Sequence, residues 1–168
     1  MMAIGLLVLL VLMVSKVDAD DVSYLQKETT ALKLKIDLLS KRVFFKATFQ
    51  DPIASCKGDQ AVIFDSAQTN VGNAYSSTSG VFTAPFRGDY VFAYQTFSYG
   101  GADISWDLYI NDQMALRARS RTSDDTSNES VLPVTLQAGD RVYVKSHLDL
   151  TFYGRNHSFF AGWLVTAF

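Results

Sequence analysis

The amino-acid sequence predicts an all-β sandwich preceded by a short α-helical coiled coil. Three observations lead there. Beyond Arg42, short runs rich in β-branched and aromatic residues alternate with turn clusters to the end of the chain. Before it, apolar residues recur three and four apart, which is a helical period. Within the β-rich part, two predicted strands are apolar on both faces, whereas an antiparallel sandwich normally wets one face of each sheet.

Composition narrows the function classes first. The chain has 168 residues, 48% hydrophobic and 13% aromatic, with 19% charged. That suits one domain with a real core and an accessory segment, and it is too aromatic for a disordered chain. Fifteen basic residues face 17 acidic ones, so no global basic field exists to hold a nucleic-acid backbone. The single cysteine excludes a disulfide framework and a cysteine-based zinc site, and two histidines leave little for a histidine-rich metal centre.

Residues 3–14 are an unbroken run of apolar residues and Gly. It is shorter than the roughly 20 residues a bilayer span requires, and it has the size of a secretory signal core. Val17-Asp18-Ala19 places small or tolerated residues at a cleavage site, so residues 1–19 read as a signal peptide cut after Ala19. The mature protein is then extracellular, with no membrane insertion. Asn128-Glu129-Ser130 and Asn156-His157-Ser158 are N-glycosylation sequons consistent with export, which makes Asn128 and Asn156 candidate surface glycan sites.

Residues 20–42 read as a coiled-coil stem. Val22, Thr29, Ile36 and Val43 fill one heptad position, and Leu25, Leu32 and Leu39 the other. A helix this short is marginal alone in water, so the narrow stripe needs a partner. Glu28 and Lys33 stand where they can pair between chains. β-branched residues alternating with Leu favour two strands in isolation, a preference the following domain can overrule.

Residues 43–168 form the head. Predicted strands cover 43–49, 61–64, 81–83, 90–99, 104–110, 113–121, 130–136, 141–146 and 159–168, with a loop at 50–60 and another at 148–156. Arg87-Gly88-Asp89, Gly100-Gly101, Asn111-Asp112 and Ala138-Gly139-Asp140 supply turns. This spacing suggests a jelly roll or a related two-sheet sandwich. In 104–110, Ile104, Trp106, Leu108 and Ile110 share a face opposite Ser105 and Asp107. In 141–146, Val142 and Val144 oppose Arg141, Tyr143 and Lys145. Both are ordinary half-buried strands. The two exceptions are 90–99, where Tyr90, Phe92 and Tyr94 oppose Val91, Ala93 and Phe97, and the last strand, where Phe159, Ala161, Trp163 and Val165 oppose Phe160, Gly162 and Leu164. Their second apolar face calls for a cover, and another copy of the chain is the simplest one.

Phe64, Asn70, Tyr75, Phe82, Gly88, Tyr90, Phe92 and Tyr94 follow the spacing of the complement C1q-type globular head, and residues 70–75, 80–85, 136–142 and 158–164 resemble that family too. The resemblance covers about residues 43–168. It implies a ten-stranded jelly roll shared with tumour-necrosis-factor-type ligands, a homotrimer, and a secreted binding protein rather than a catalyst. No Gly-X-Y collagen stalk occurs in the sequence; the coil at 20–42 takes that place. In this signature Gly88 is expected to hold a backbone conformation closed to side chains, and Asn70 a left-handed turn.

Arg117, Arg119 and Arg121 alternate along one strand face about 6–7 Å apart, a cationic stripe fit for phosphate, sulfate or carboxylate on a microbial or host glycan. Repeated three times in a trimer, weak contacts gain through multivalency. The competing reading is a solvated face balanced by Asp124, Asp125 and Glu129. Asp103, Asp107, Asp124 and Asp125 are oxygen donors to which the resemblance attaches an optional calcium, but no EF-hand-like spacing exists and no cofactor is expected. Cys56, in the 50–60 loop, is either buried and inert or paired between chains. Arg87-Gly88-Asp89 has the form of an integrin-type tripeptide, with its glycine already explained by the turn. His147 and His157 read as ordinary surface residues. No Gly-x-Ser-x-Gly elbow, His-Glu-x-x-His or phosphate-cradling loop occurs, so no enzyme is expected. Two functions remain: lectin-like recognition of microbial or glycan surfaces in innate defence, or an extracellular organiser that binds protein receptors.

Overall fold

A computed structural model describes residues 18–121 and 123–168. The predicted signal segment, 1–19, lies outside the described residues except for Asp18 and Ala19. Helix α1 (Ala19–Ser40) carries Asp20 and Asp21 in its first turn, where negative charge complements the helix dipole. None of its residues is buried, and Leu25, Leu32, Ile36 and Leu39 are all more than half exposed. The helix stops short of residue 42, and Val43 is 3% exposed in the head, where its carbonyl accepts from Leu164 N at 2.8 Å. The fourth member of that heptad position therefore belongs to the β-domain core and not to the stem.

The head contains twelve strands among the described residues: β1 (Phe44–Thr48), β2 (Ile53–Cys56), β3 (Ser66–Val71), β4 (Tyr75–Ser76), β5 (Val81–Thr83), β6 (Gly88–Ser98), β7 (Ile104–Ile110), β8 (Gln113–Ser120), β9 (Ser127–Leu136), β10 (Arg141–Ser146), β11 (Leu150–Tyr153) and β12 (Phe159–Ala167). They make two sheets. In the seven-stranded sheet the order is β2-β11-β6-β12-β1-β3, with β9 on the other edge of β6; the five-stranded sheet runs β4-β5-β10-β7-β8. All pairings are antiparallel. This is the jelly-roll sandwich expected of the sequence.

Four strands, β2, β3, β4 and β11, fall outside the predicted set. β2 and β11 pair with each other, from Leu150 opposite Cys56 to Tyr153 opposite Ile53, in segments the sequence marks as loops. Segment 61–64 is not a strand. It makes one bridge, Ala61 to Lys145, yet its alternation is real, because Val62 and Phe64 are fully buried.

The core is a slab of aromatic rings between the sheets. Phe45 stacks on Tyr75 at 4.7 Å and meets Phe160 edge-on at 4.9 Å; Phe92 meets Phe82 at 5.1 Å, and Trp106 meets Phe152 at 5.0 Å. Such pairs each add about 0.5–1.5 kcal/mol beyond area burial. Three buried tyrosines keep a polar handle and donate to backbone carbonyls: Tyr75 to Phe64 at 3.0 Å, Tyr90 to Phe86 at 2.8 Å and Tyr94 to Trp106 at 2.7 Å. Burial pushes the Tyr94 phenol up to about 12.

Two signature residues act differently from expectation. Asn70 is not in a left-handed conformation; that falls to Gly72 and Asn73, at φ 86° and 50°. Its amide instead clasps residue 75, donating to the Tyr75 carbonyl at 2.8 Å and accepting from Tyr75 N at 3.2 Å. Gly88 has no positive φ either. A β-carbon there would lie 2.3 Å from the Thr166 carbonyl oxygen across the β6–β12 pair, so glycine is required by close approach. Gly88→Ala must part that pair, and a loss of about 2–3 kcal/mol is expected. A urea melt of the head reads it; an unchanged midpoint would contradict the steric account.

Candidate functional site

The two outer faces of the sandwich differ in chemistry. On the seven-stranded sheet, register aligns Pro133, Val91, Trp163, Phe44 and Val71 across five strands. Trp163 is 42% exposed and Phe44 36%, and beside this row Val131 and Val165 are over 60% exposed. The next row runs Val131, Ala93, Ala161 and Lys46. The two-sided strands of the sequence thus leave a broad apolar face open to solvent in the single chain.

The five-stranded sheet presents the arginine stripe. Arg117 and Arg119 lie opposite Asp107 and Ser105 of β7, and Arg121 follows the end of β8. The stripe is not balanced as the sequence suggested: its counter-charges come from the neighbouring strand. Arg117 Nε donates to Asp107 Oδ2 at 3.0 Å and Arg121 Nε to Asp103 Oδ2 at 3.0 Å. Arg119 has no ion-pair partner among the described residues.

Asp107 also corrects the picture of an ordinary half-buried strand. It is fully buried and Ser105 is 6% exposed, although strand alternation places both on the wet face. A buried carboxylate needs partners. Besides Arg117, His147 Nε2 lies 2.8 Å from Asp107 Oδ2, and His147 Nδ1 lies 3.3 Å from Asp59 Oδ1. Lys145 Nζ reaches the same Asp59 oxygen at 3.3 Å, and hydrogen bonds from Lys145 and then His147 hold the Asp59 carboxyl below its usual range. His147 is therefore a bridge between two carboxylates and not an ordinary surface residue. Tyr143, expected outside, is buried, stacked on Tyr109 at 5.5 Å; burial and the Asp112 carboxylate it donates to at 2.8 Å push its phenol up to about 12.

The remaining candidates are scattered. Phe64, Tyr75, Phe82, Gly88, Tyr90, Phe92 and Tyr94 are all buried and serve the core. Asn156 is exposed in the turn before β12, but Asn128 lies in β9 at 7% exposure with its amide nitrogen buried and unpartnered. Of the two sequons, Asn156 is the one that offers its amide to solvent in the folded head. Asp125 accepts from Gly100 N at 2.8 Å, and Asp124 is exposed nearby. Among the described residues no three His, Cys, Asp or Glu side chains gather as a metal site. In Arg87-Gly88-Asp89, Asp89 accepts from Thr135 at 2.6 Å and Arg87 lies over the Phe168 ring. Cys56 sits in β2 rather than a loop, half-buried, and burial pushes its thiol up.

What the sequence left unseen is the group around Asp107. His147, Lys145 and Asp59 come from segments far from β7 in the chain, and strand alternation assigns Asp107 to water. The one available signal is that Lys145 and His147 flank the β10 end while Arg117 stands at fixed distance past the β7–β8 turn.

Two outcomes are expected. With its thiol pushed up by burial, Cys56 carries less thiolate, so it should react with a thiol reagent more slowly in the native head than in denaturant. Equal rates would show the thiol to be open. Arg117→Ala strips one partner from a buried carboxylate and is expected to cost about 1–3 kcal/mol, whereas Arg119→Ala stays within about 0.5 kcal/mol. Equal losses in denaturant melts would contradict the division between them.

The fold has relatives. The C1q domain family matches residues 44–165. A zebrafish (Danio rerio) protein, Caprin-2, is 32% identical over 138 residues, covering 76% of this chain; the chain spans only 14% of that relative's length. Among solved structures, the globular domain of zebrafish complement 1qA superposes with TM-score 0.65 at 15% identity, over 76% of this chain and all of that one. Eiger TNF from S. frugiperda gives TM-score 0.63 at 17% identity, over 76% and 93%. Murine APRIL gives 0.59 at 13% identity, over 74% and 100%.

Proposed function

This chain belongs to the C1q domain family, and on that premise we propose that it is a secreted, homotrimeric recognition protein that binds anionic microbial or glycan surfaces in a lectin-like way, in innate defence. Domains of this family commonly form trimers and bind receptors or ligands, the proteins are commonly secreted, and the family is generally non-enzymatic. Among the described residues no helix is long and apolar enough to cross a membrane.

The observation that carries the reading is the apolar row Pro133, Val91, Trp163, Phe44 and Val71, open on the outer face of the seven-stranded sheet. Left wet, each large apolar side chain forgoes about 1.5–3 kcal/mol relative to burial. Association of sister heads through this face recovers that energy and leaves the five-stranded sheets, with their arginines, facing outward. The exposed Leu25, Leu32, Ile36 and Leu39 of α1 support assembly independently. Each head then grips an anionic surface weakly, and three heads on one assembly multiply residence on a repetitive target, by about 10²–10⁴ where the spacing matches.

Light scattering on the secreted chain is expected to give three times the chain mass, and Trp163→Glu to give a folded protein of lower mass. A monomer at micromolar concentration in the unsubstituted protein would refute the assembly. Arrays of lipopolysaccharide, peptidoglycan and glycans, probed with and without calcium, should retain the trimer and lose the dissociated variant. Capture of a protein receptor with silence on every array would favour the organiser reading instead.

A further inference from the structure

The β7–β8 end of the five-stranded sheet opens into a cavity of about 440 Å³ lined by Asp103, Ser105, Arg119, Arg121, His147 and Leu148. We propose that this cavity is a discrete subsite for a tetrahedral oxyanion, the sulfate or phosphate monoester of a sugar, held by Arg119 and Ser105. The inference deepens the glycan-recognition reading and rests on it: it replaces an even stripe of three arginines by one built site.

Charge decides which arginine is available. Around the cavity stand four cations, Arg117, Arg119, Arg121 and Lys145, and three carboxylates, Asp59, Asp103 and Asp107. Arg117 is matched by Asp107, Arg121 by Asp103 and Lys145 by Asp59. His147 lies between Asp59 and Asp107 and is engaged by both. The surplus positive charge is Arg119, exposed on β8, whose planar fork of N–H donors suits an oxyanion.

A second observation points to a ligand at the same place. Ser105 lies opposite Arg119 in the β7–β8 register, is 6% exposed, and its hydroxyl has no hydrogen-bond partner among the described residues. Buried hydroxyls are rarely left unpaired, because the missing bond costs about 1–3 kcal/mol. A serine hydroxyl beside a guanidinium can donate to an anion that the guanidinium brings in. The neighbours are already engaged, Arg117 and His147 with the buried Asp107 and Arg121 with Asp103, which leaves Arg119 and Ser105 as the free donors. The cavity is larger than one sulfate group fills, and the exposed Leu148 offers an apolar wall to the sugar ring that carries it. Because Arg119 is exposed, added salt should weaken binding.

The test is calorimetric titration of the full secreted protein with inorganic sulfate, inorganic phosphate, a 6-sulfated galactose and its unsulfated parent. Variants are Arg119→Gln, Ser105→Ala and, as an equal charge loss outside the cavity, Arg87→Gln. Circular dichroism and light scattering confirm that each keeps fold and mass. The sulfated sugar is expected to bind with its parent silent, at least about tenfold more weakly in Arg119→Gln, several-fold more weakly in Ser105→Ala, and within about twofold of the unsubstituted protein in Arg87→Gln. Tighter binding of the sulfated sugar than of the free ions shows that the ring contributes through the apolar wall. Equal weakening in Arg119→Gln and Arg87→Gln, or no binding of any charged probe, overturns the subsite. If the glycan and microbial arrays still retain the unsubstituted protein in that case, the subsite alone falls; if they too are silent, the recognition reading falls with it.

Discussion

Ring-on-ring contact between two sheets is the constraint from which the rest of this molecule follows. Phe45 on Tyr75, Phe92 on Phe82 and Phe152 on Trp106 bring one sheet against the other. The tyrosines among them end in hydrogen bonds to backbone carbonyls, so the slab accepts no alternative depth or rotation without stranding a buried hydroxyl. Once these side chains point inward, the period of a strand sends their neighbours outward, and the character of each outer face is settled at the same time.

Those faces diverge. On the seven-stranded sheet, the residues between the core aromatics are Val91, Ala93, Ala161 and Trp163, and a surface results that one chain alone cannot cover. On the five-stranded sheet they are Ser105, Asp107, Tyr109, Arg117 and Arg119. Here the costly element is Asp107, wholly removed from water. A buried ion pair is seldom a net gain in stability over apolar packing. Its consequence is positional: Arg117 and His147 are held by it, and the unpaired Arg119 stands beside them.

The sheet assignment was legible wherever alternation met a well-paired strand. β7 and β10 fall at the residues the pattern marked, and the two-sided apolar strands were visible as such. The pattern failed where local signal and pairing part company. Segment 61–64 alternates because Val62 and Phe64 enter the core, yet it makes a single bridge. β2 and β11 have weak local signals and exist because each is the other's partner, across nearly a hundred residues of chain. The same limit governs the candidate site. Alternation correctly put Arg117, Arg119 and Arg121 on one face. It could not show that Asp103 and Asp107 neutralise two of them, since that depends on the β7–β8 register. Nor could it show that Asp107 is covered, since the cover comes from His147 on another strand's end. Asn128 is the same failure: a polar stretch by composition, but an inward position on β9.

The central claim is that sister chains cover the apolar face of the seven-stranded sheet, and the protein carries its own reporter for it. Of its two tryptophans, Trp106 is fully buried in the core, while Trp163 lies on the face in question. Iodide quenching of tryptophan fluorescence across a dilution series therefore reads that face directly. The account predicts little quenching at micromolar concentration, with Trp163 becoming accessible only as dilution dissociates the assembly. Trp163 accessible at every concentration, in a protein that stays folded, would contradict it.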